Sequence, residues 1–141
     1  MDQNENRAES LTERIIGCAI EVHRTLGPGL LEAVYRECLS IELRSNQLHV
    51  ESERPVFLTY KGERIKSKLV LDLLVEDSVV VELKAVESLH PVHQAQVITY
   101  LKLTGYHAGL LMNFNATTLR AGLRRLTHPD RYAQPVIDAE T

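Results

Sequence analysis

The sequence predicts one α/β domain, α+β in finer terms, with helices covering a mixed sheet of about four to five strands. Three observations lead there. Two segments with apolar residues at helical spacing open the chain, three strand-like segments joined by short turns follow, and a further helix leads into an apolar strand. The order is ααβββαβ, which places helices against a sheet rather than in a bundle.

Residues 1–9 are polar and read as a disordered tail. "SLTE", Ser10 to Glu13, has the spacing of a capping box and is expected to open the first helix. Leu11, Ile15, Cys18, Ala19, Val22 and Leu26 supply its apolar stripe, and "GPG" at 27–29 ends it. Leu30, Leu31, Val34, Tyr35, Cys38 and Leu39 form the face of a second helix, expected to stop near Asn46 in a left-handed cap. "PVFLTY", "RIKSKLVLDLLV" and "VVVELKAV" read as strands, with "KGE" and "EDS" as the turns of an antiparallel meander. "HPVHQAQVITYLKLTG" is a helix with Pro91 in its first turn and Gly105 as its stop. "HAGLLMNF" is apolar throughout, as an interior strand would be, and a right-handed crossover is the natural way onto the sheet. Residues 117–127 fit strand or helix equally: Leu119, Leu123 and Leu126 suit a helix, while Gly122 and the paired threonines weaken it. A globular domain over 10–127 is expected, with a loose tail over 128–141.

Composition excludes several classes. The chain of 141 residues is 44% hydrophobic and 25% charged, enough for one core and ordinary for a soluble domain. No long uncharged apolar run suggests a membrane helix, and the acidic "MDQNENRAES" is unlike a signal or transit peptide, so the cytoplasm is the default location. Cys18 and Cys38 sit on helical stripes; buried free thiols are the preferred reading, and one bridge stays open, but no disulfide framework exists. Net charge is −3, with 5 Lys/Arg against 10 Asp/Glu in residues 1–53 and 11 against 9 in residues 54–141. A polyanion would therefore meet the second part.

The chemistry concentrates in "LVLDLLVEDSVVVELKA", Leu69 to Ala85. Side chains alternate along a strand, so Glu82 and Lys84 share a face with Val80, while Asp72 shares one with Val70 and Leu74. Burying one common face requires Leu71, Leu73, Val75, Val79, Val81 and Leu83 to align, which sets Val75 opposite Val79 across a three-residue loop. The same register sets Asp72 opposite Glu82. Two opposed carboxylates repel, at about 0.2–1 kcal/mol for an exposed pair and more when buried. A divalent cation relieves this, since Mg²⁺ takes hard oxygen ligands, commonly one or two carboxylates with water and phosphate. The competing reading is that Lys84 simply pairs with the acids on a solvated face.

Asp72 followed by Glu82-Leu83-Lys84 across a hairpin resembles the core of the PD-(D/E)XK nuclease superfamily. Gln96 and Tyr100, on the next helix, match the QxxxY motif of its RecB-like and Cas4-like branches. "GLLEAVY", Gly29 to Tyr35, matches GxxExxY, and the span from about Ile15 to Leu126 resembles the small GxxExxY proteins, with "VHRTLGPG" and "YLKLTGYHAGLLMNF" agreeing. The first motif departs from the literal Pro-Asp, since Leu71 precedes Asp72. The resemblance implies a restriction-endonuclease-like fold. It makes Asp72 and Glu82 ligands of Mg²⁺ or Mn²⁺, with the Leu83 carbonyl as a third. Lys84 becomes the catalytic lysine, and Glu32 a further acidic group contacting water or metal. Gln96 and Tyr100 would support the site or touch nucleic acid.

Other readings of these residues stand beside that one. Glu32 in a first helical turn favours the helix dipole on its own account. Tyr35, Gln96 and Tyr100 fit ordinary core or surface positions. His93 shares a helix face with Gln96 and would line the cleft, although "HPVH" lacks the further ligands a zinc site needs. Arg120, Arg124 and Arg125 offer phosphate contacts or simple solubility, with Arg124 taken as the contact candidate. The function implied is a metal-dependent nuclease cutting phosphodiester bonds, DNA being the favoured substrate, with a homodimer or protein partner suited to cutting both strands. The rival is an inactive protein of the same fold that binds nucleic acid or a protein.

Overall fold

The computed structural model describes residues 3–130, with side chains from residue 10 onward. The order is α1 (Gln3–Leu26), α2 (Glu32–Ser45), β1 (Val50–Tyr60), β2 (Glu63–Val75), β3 (Val79–Lys84), α3 (Pro91–Thr104), β4 (Ala108–Asn113) and β5 (Leu123–Thr127). A short 3-10 turn, Arg120–Gly122, precedes β5. The segment that suited helix and strand equally is thus a single helical turn that runs into a strand. No helix among the described residues is long and apolar enough to cross a membrane.

The five strands form one sheet in sequence order, antiparallel except for the parallel β3–β4 pair that α3 connects. The mixed sheet with flanking helices is the α+β architecture expected, and consistent with a restriction-endonuclease-like fold. Helices cover both faces. On one, α1 and α2 pack Ile15, Ala19, Tyr35, Leu39 and Leu43 against Leu73, Val75, Val79, Val81, Leu83, Leu110 and Met112. On the other, Leu101 of α3 meets Leu74, Val80, Leu71 and Val56. Gly109 lets α3 approach β4 closely, because a Cβ there would stand 2.8 Å from Val97 Cγ1.

Three local expectations are corrected. α1 starts at Gln3, so Ser10 and Glu13 lie inside the helix and cap nothing. The capping-box spacing was met, but the helix continues upstream because nothing in residues 3–9 breaks it. The left-handed residue after α2 is Gln47 (φ 61°), not Asn46 (φ −100°). Leu71 packs with Leu74 and Val80 rather than with Leu73. Strict alternation fails at Asp72: the β1–β2 pairing skips Glu53 and Asp72, and Glu53 takes φ 52°. Of the expected tail over 128–141, His128 is buried and its N–H donates to the His107 carbonyl. Residues 131–141, like residues 1–2 of the expected N-terminal tail, lie outside the described residues.

Candidate active site

Two hairpin turns set the register that gathers the charges. Lys61 and Gly62 both take positive φ, as a two-residue turn requires, and join Tyr60 to Glu63. Glu76, Asp77 and Ser78 form the second loop, and Val75 pairs with Val79, Leu74 with Val80 and Leu73 with Val81. Asp72 and Glu82 lie one step beyond the last pair of that ladder. There the backbone ladder gives way to side chains. The Asp72 N–H donates to Glu82 Oε2 at 2.8 Å, and the Leu83 N–H donates to Asp72 Oδ2 at 2.9 Å. Each carboxylate therefore satisfies a backbone donor of the opposing strand as β2 and β3 separate.

These acids sit in a dry place. Glu82 is 3% exposed. Burial, and then the Asp72 charge, push its pKa up to about 8, against the opposing pull of the Asp72 N–H and Lys84. Burial likewise raises Asp72, with the Leu83 N–H, Lys84 and Arg36 opposing. Glu32 arrives from the other layer, at the first position of α2. Burial and Asp72 raise its pKa, while Lys84 and Arg36 lower it. The mutual influence of Glu32, Asp72, Glu82 and Lys84 places all four at one end of the sheet. Lys84 forms no salt bridge with any of the acids among the described residues. Its charge nonetheless acts on Glu32, Asp72 and Glu82, lowering the pKa of each.

The GxxExxY segment explains how Glu32 is held. Tyr35 is fully buried and stacks on Phe114 with ring centroids 4.7 Å apart. Its hydroxyl donates to the Gly27 carbonyl and accepts from the Leu30 N–H, which pins the loop that begins α2. After Lys84, buried Asn113 clamps Val86 by both its N–H and its carbonyl. Gly122 is needed beneath that clamp, since a Cβ there would lie 2.5 Å from the Asn113 carbonyl oxygen.

On α3, Tyr100 is half-buried and feels both carboxylates. Burial raises its pKa first, then Glu82 and Asp72, while the neighbouring Gln96 side chain lowers it. His93 lies near Lys84, and desolvation followed by the Lys84 charge keeps its pKa low. Its Nδ1 accepts the His90 N–H, so it also caps α3. Arg124 is not brought to the acids. It lies two strands from Glu82 along the row Glu82–Leu111–Arg124, and its guanidinium donates to the Ala121 and Leu123 carbonyls. Arg125 pairs with Glu13. Two residues escaped the sequence reading. Arg36 lies one helical turn after Glu32, a spacing that puts both on one face, and it bridges to Glu53 at 3.1 Å. Glu53, in turn, raises the Asp72 pKa.

The donor set suits a hard divalent cation. Buried Glu82 and half-buried Asp72 repel each other with no salt-bridged cation, and only one oxygen of each holds a backbone N–H. No group of three or more His, Cys, Asp or Glu side chains among the described residues is arranged to enclose an ion. The protein's share would thus be the two carboxylates with a backbone carbonyl, the limited set typical of Mg²⁺ sites completed by water and phosphate.

Comparison with curated proteins and with solved structures gave no match. A family profile described as the PD-(D/E)XK nuclease superfamily matches residues 9–126, which spans both the hairpin acids and the α2 and α3 residues around them. With that match over most of its length, the chain belongs to the PD-(D/E)XK nuclease superfamily.

Proposed function

We propose that the protein is a metal-dependent nuclease that hydrolyses phosphodiester bonds at the Glu32–Asp72–Glu82–Lys84 cluster, and that DNA is its substrate. The observation that carries this reading is buried Glu82 paired with half-buried Asp72, with Lys84 near both and salt-bridged to neither. Within the superfamily we group the chain with the GxxExxY proteins, on Gly29, Glu32 and Tyr35. We place it in the cytoplasm, where its two free thiols, Cys18 and Cys38, stay reduced.

Asp72, Glu82 and the Leu83 carbonyl would hold Mg²⁺ or Mn²⁺, which when bound supplies Lewis-acid screening of the phosphate and acidifies water. Lys84 Nζ donates to a phosphoryl oxygen as negative charge develops on it, a contact worth most in a dry site. The Glu32 carboxylate, raised by burial and Asp72, takes the proton from the attacking water. Arg36 opposes those shifts and so favours the charged form of Glu32 and Asp72. Tyr100 and Gln96 flank the acids from α3 and orient the substrate strand.

The test is cleavage of single-stranded, duplex and branched DNA and of RNA, with Mg²⁺, with Mn²⁺ and with EDTA. Metal-dependent cleavage that Asp72→Asn abolishes supports the reading. No cleavage of any substrate, or cleavage indifferent to EDTA, contradicts it.

A further inference from the structure

The far end of the β1–β2 hairpin has no part in the site, yet its composition departs from the rest of the chain. Residues 57–68, "FLTYKGERIKSK", hold Lys61, Arg64, Lys66 and Lys68 against Glu63 alone, a net charge of +3. The other 129 residues hold 12 Lys/Arg and 18 Asp/Glu, a net charge of −6. An acidic molecule has therefore gathered a quarter of its cations on one turn and its flanks.

The structure makes this segment an arm. Glu63 to Lys68 are six consecutive exposed residues, so both faces of β2 meet solvent there. Across the turn, Tyr60 is 65% exposed. On the β1 side Phe57, Leu58 and Thr59 are half-buried and Leu58 packs against the core, but burial does not account for the run from Glu63 to Lys68. Arg64 and Lys68 both lie over Phe57 and so share a face, with exposed Lys66 in the irregular stretch between them. Three of the four cations rest on aromatic rings: the Arg64 guanidinium is 4.2 Å and Lys68 Nζ 5.9 Å from the Phe57 centroid, and Lys61 Nζ is 5.4 Å from that of Tyr60. None of the four forms a salt bridge among the described residues, although Glu63 is their neighbour. The two extra β2 residues between the Phe57–Lys68 and Thr59–Arg64 pairs form a bulge, which bends and twists the ribbon.

The arm is continuous with the site. Lys68 is four residues before Asp72 on the same strand, and Arg64 eight. At strand rise these cations start about 13 Å from Asp72 and reach about 25 Å. A ribbon of two strands fits a major groove about 12 Å wide, whereas the deep, narrow major groove of A-form RNA does not admit it.

We infer that the β1–β2 ribbon is a duplex-DNA-binding arm, with Lys61, Arg64, Lys66 and Lys68 on backbone phosphates flanking the bond held at the site. This inference rests on the nuclease reading above and names the form of its substrate. The arm neutralises phosphates and reads no sequence, because its donors are lysines and one arginine already seated on a ring.

The experiment compares the wild type with the variant K61S/R64S/K66S/K68S. Binding to labelled duplex DNA, single-stranded DNA and duplex RNA of one length is titrated against salt in EDTA, where no metal-dependent cleavage occurs. All four positions are exposed, so the variant is expected to melt like the wild type, and K66S/K68S serves as a milder second variant. The expected result is preference for duplex DNA, with a log K against log salt slope shallower by about 3.6 in the fourfold variant and about 1.8 in the twofold one. An unchanged slope overturns the inference, as does wild-type binding that treats single-stranded DNA or duplex RNA equally. Binding to none of them also overturns it, and leaves an acidic protein as the occupant. Parallel cleavage assays separate the two claims. If the wild type cuts DNA but the variants bind unchanged, the arm fails and the site reading stands. If the slope falls as expected but Asp72→Asn cuts as the wild type does, the site reading fails and the arm stands.

Discussion

The two halves of β2 place charge in opposite environments. From Glu63 to Lys68 every residue is exposed, and Arg64 and Lys68 stand over the Phe57 ring in water. From Leu71 to Val75 the strand is buried almost throughout, and its one charged residue, Asp72, is tied to the Leu83 N–H and set against buried Glu82. Charge at the wet end costs the fold little and stays available to a polyanion. Charge at the dry end opposes the fold, and there it distorts the titration of its neighbours. The difference teaches where to look for chemistry: a residue held at a cost to stability points to a reaction site, while one held at no cost points to a surface.

The largest expected effect tests packing. Leu73→Ala, in the dry half, should destabilise the protein by about 2–5 kcal/mol in chemical denaturation. An effect under half a kcal/mol would mean that the site end is not a rigid platform.

Next comes the charge conflict itself. Below its ordinary pKa Glu82 is protonated whether the chain is folded or not. As pH rises towards about 8 the unfolded chain releases that proton and the folded one keeps it, so Glu82 makes the metal-free protein lose stability across this window. Glu82→Gln keeps an acceptor for the Asp72 N–H and removes the titration. In EDTA the variant should match the wild type near pH 4.5 and exceed it by a few kcal/mol, in order of magnitude, at pH 8.5. Stability curves that run parallel across that range would break the comparison.

Arg36→Ala sharpens it. Arg36 holds down the pKa of both Glu32 and Asp72, so its loss should move the acidic limb of the pH–rate profile to higher pH. An unmoved limb would separate Arg36 from the site. The smallest effect is at the wet end of the same strand. Ile65→Ala should change stability by no more than about 0.5 kcal/mol. A larger loss would show that the arm packs against something.

Much of this arrangement was legible in the sequence because hydrophobic alternation sets a hairpin register without reference to the rest of the fold. The Val75–Val79 pair follows from burying one face, and beyond the end of that ladder the Asp72 N–H meets the Glu82 carboxylate. The exception lies at the reactive residue. Leu71 leaves the face of Leu73 because the β1–β2 pairing breaks at Glu53 and Asp72, and a tertiary break of that kind leaves no periodic trace. Arg36 went unnoticed for a related reason: its one signal is a helical-turn spacing from Glu32, which many surface pairs share. For Arg124, a cluster of arginines in the sequence says nothing of the strand, β4, that lies between it and Glu82. The basic arm was blurred by counting charge over half the chain, since twelve residues hold what the longer window dilutes.

Lys84 tests the account most directly, because its charge acts on all three acids yet forms no salt bridge with them among the described residues. With Mg²⁺ and duplex DNA in single turnover, Lys84→Ala is expected to cut at least about a hundredfold more slowly than the wild type. Its melting temperature should be unchanged or modestly lowered, since the Lys84 charge favours the ionised acids. Equal rates in the two proteins, with both folded, would contradict the claim that this cluster is a reaction site.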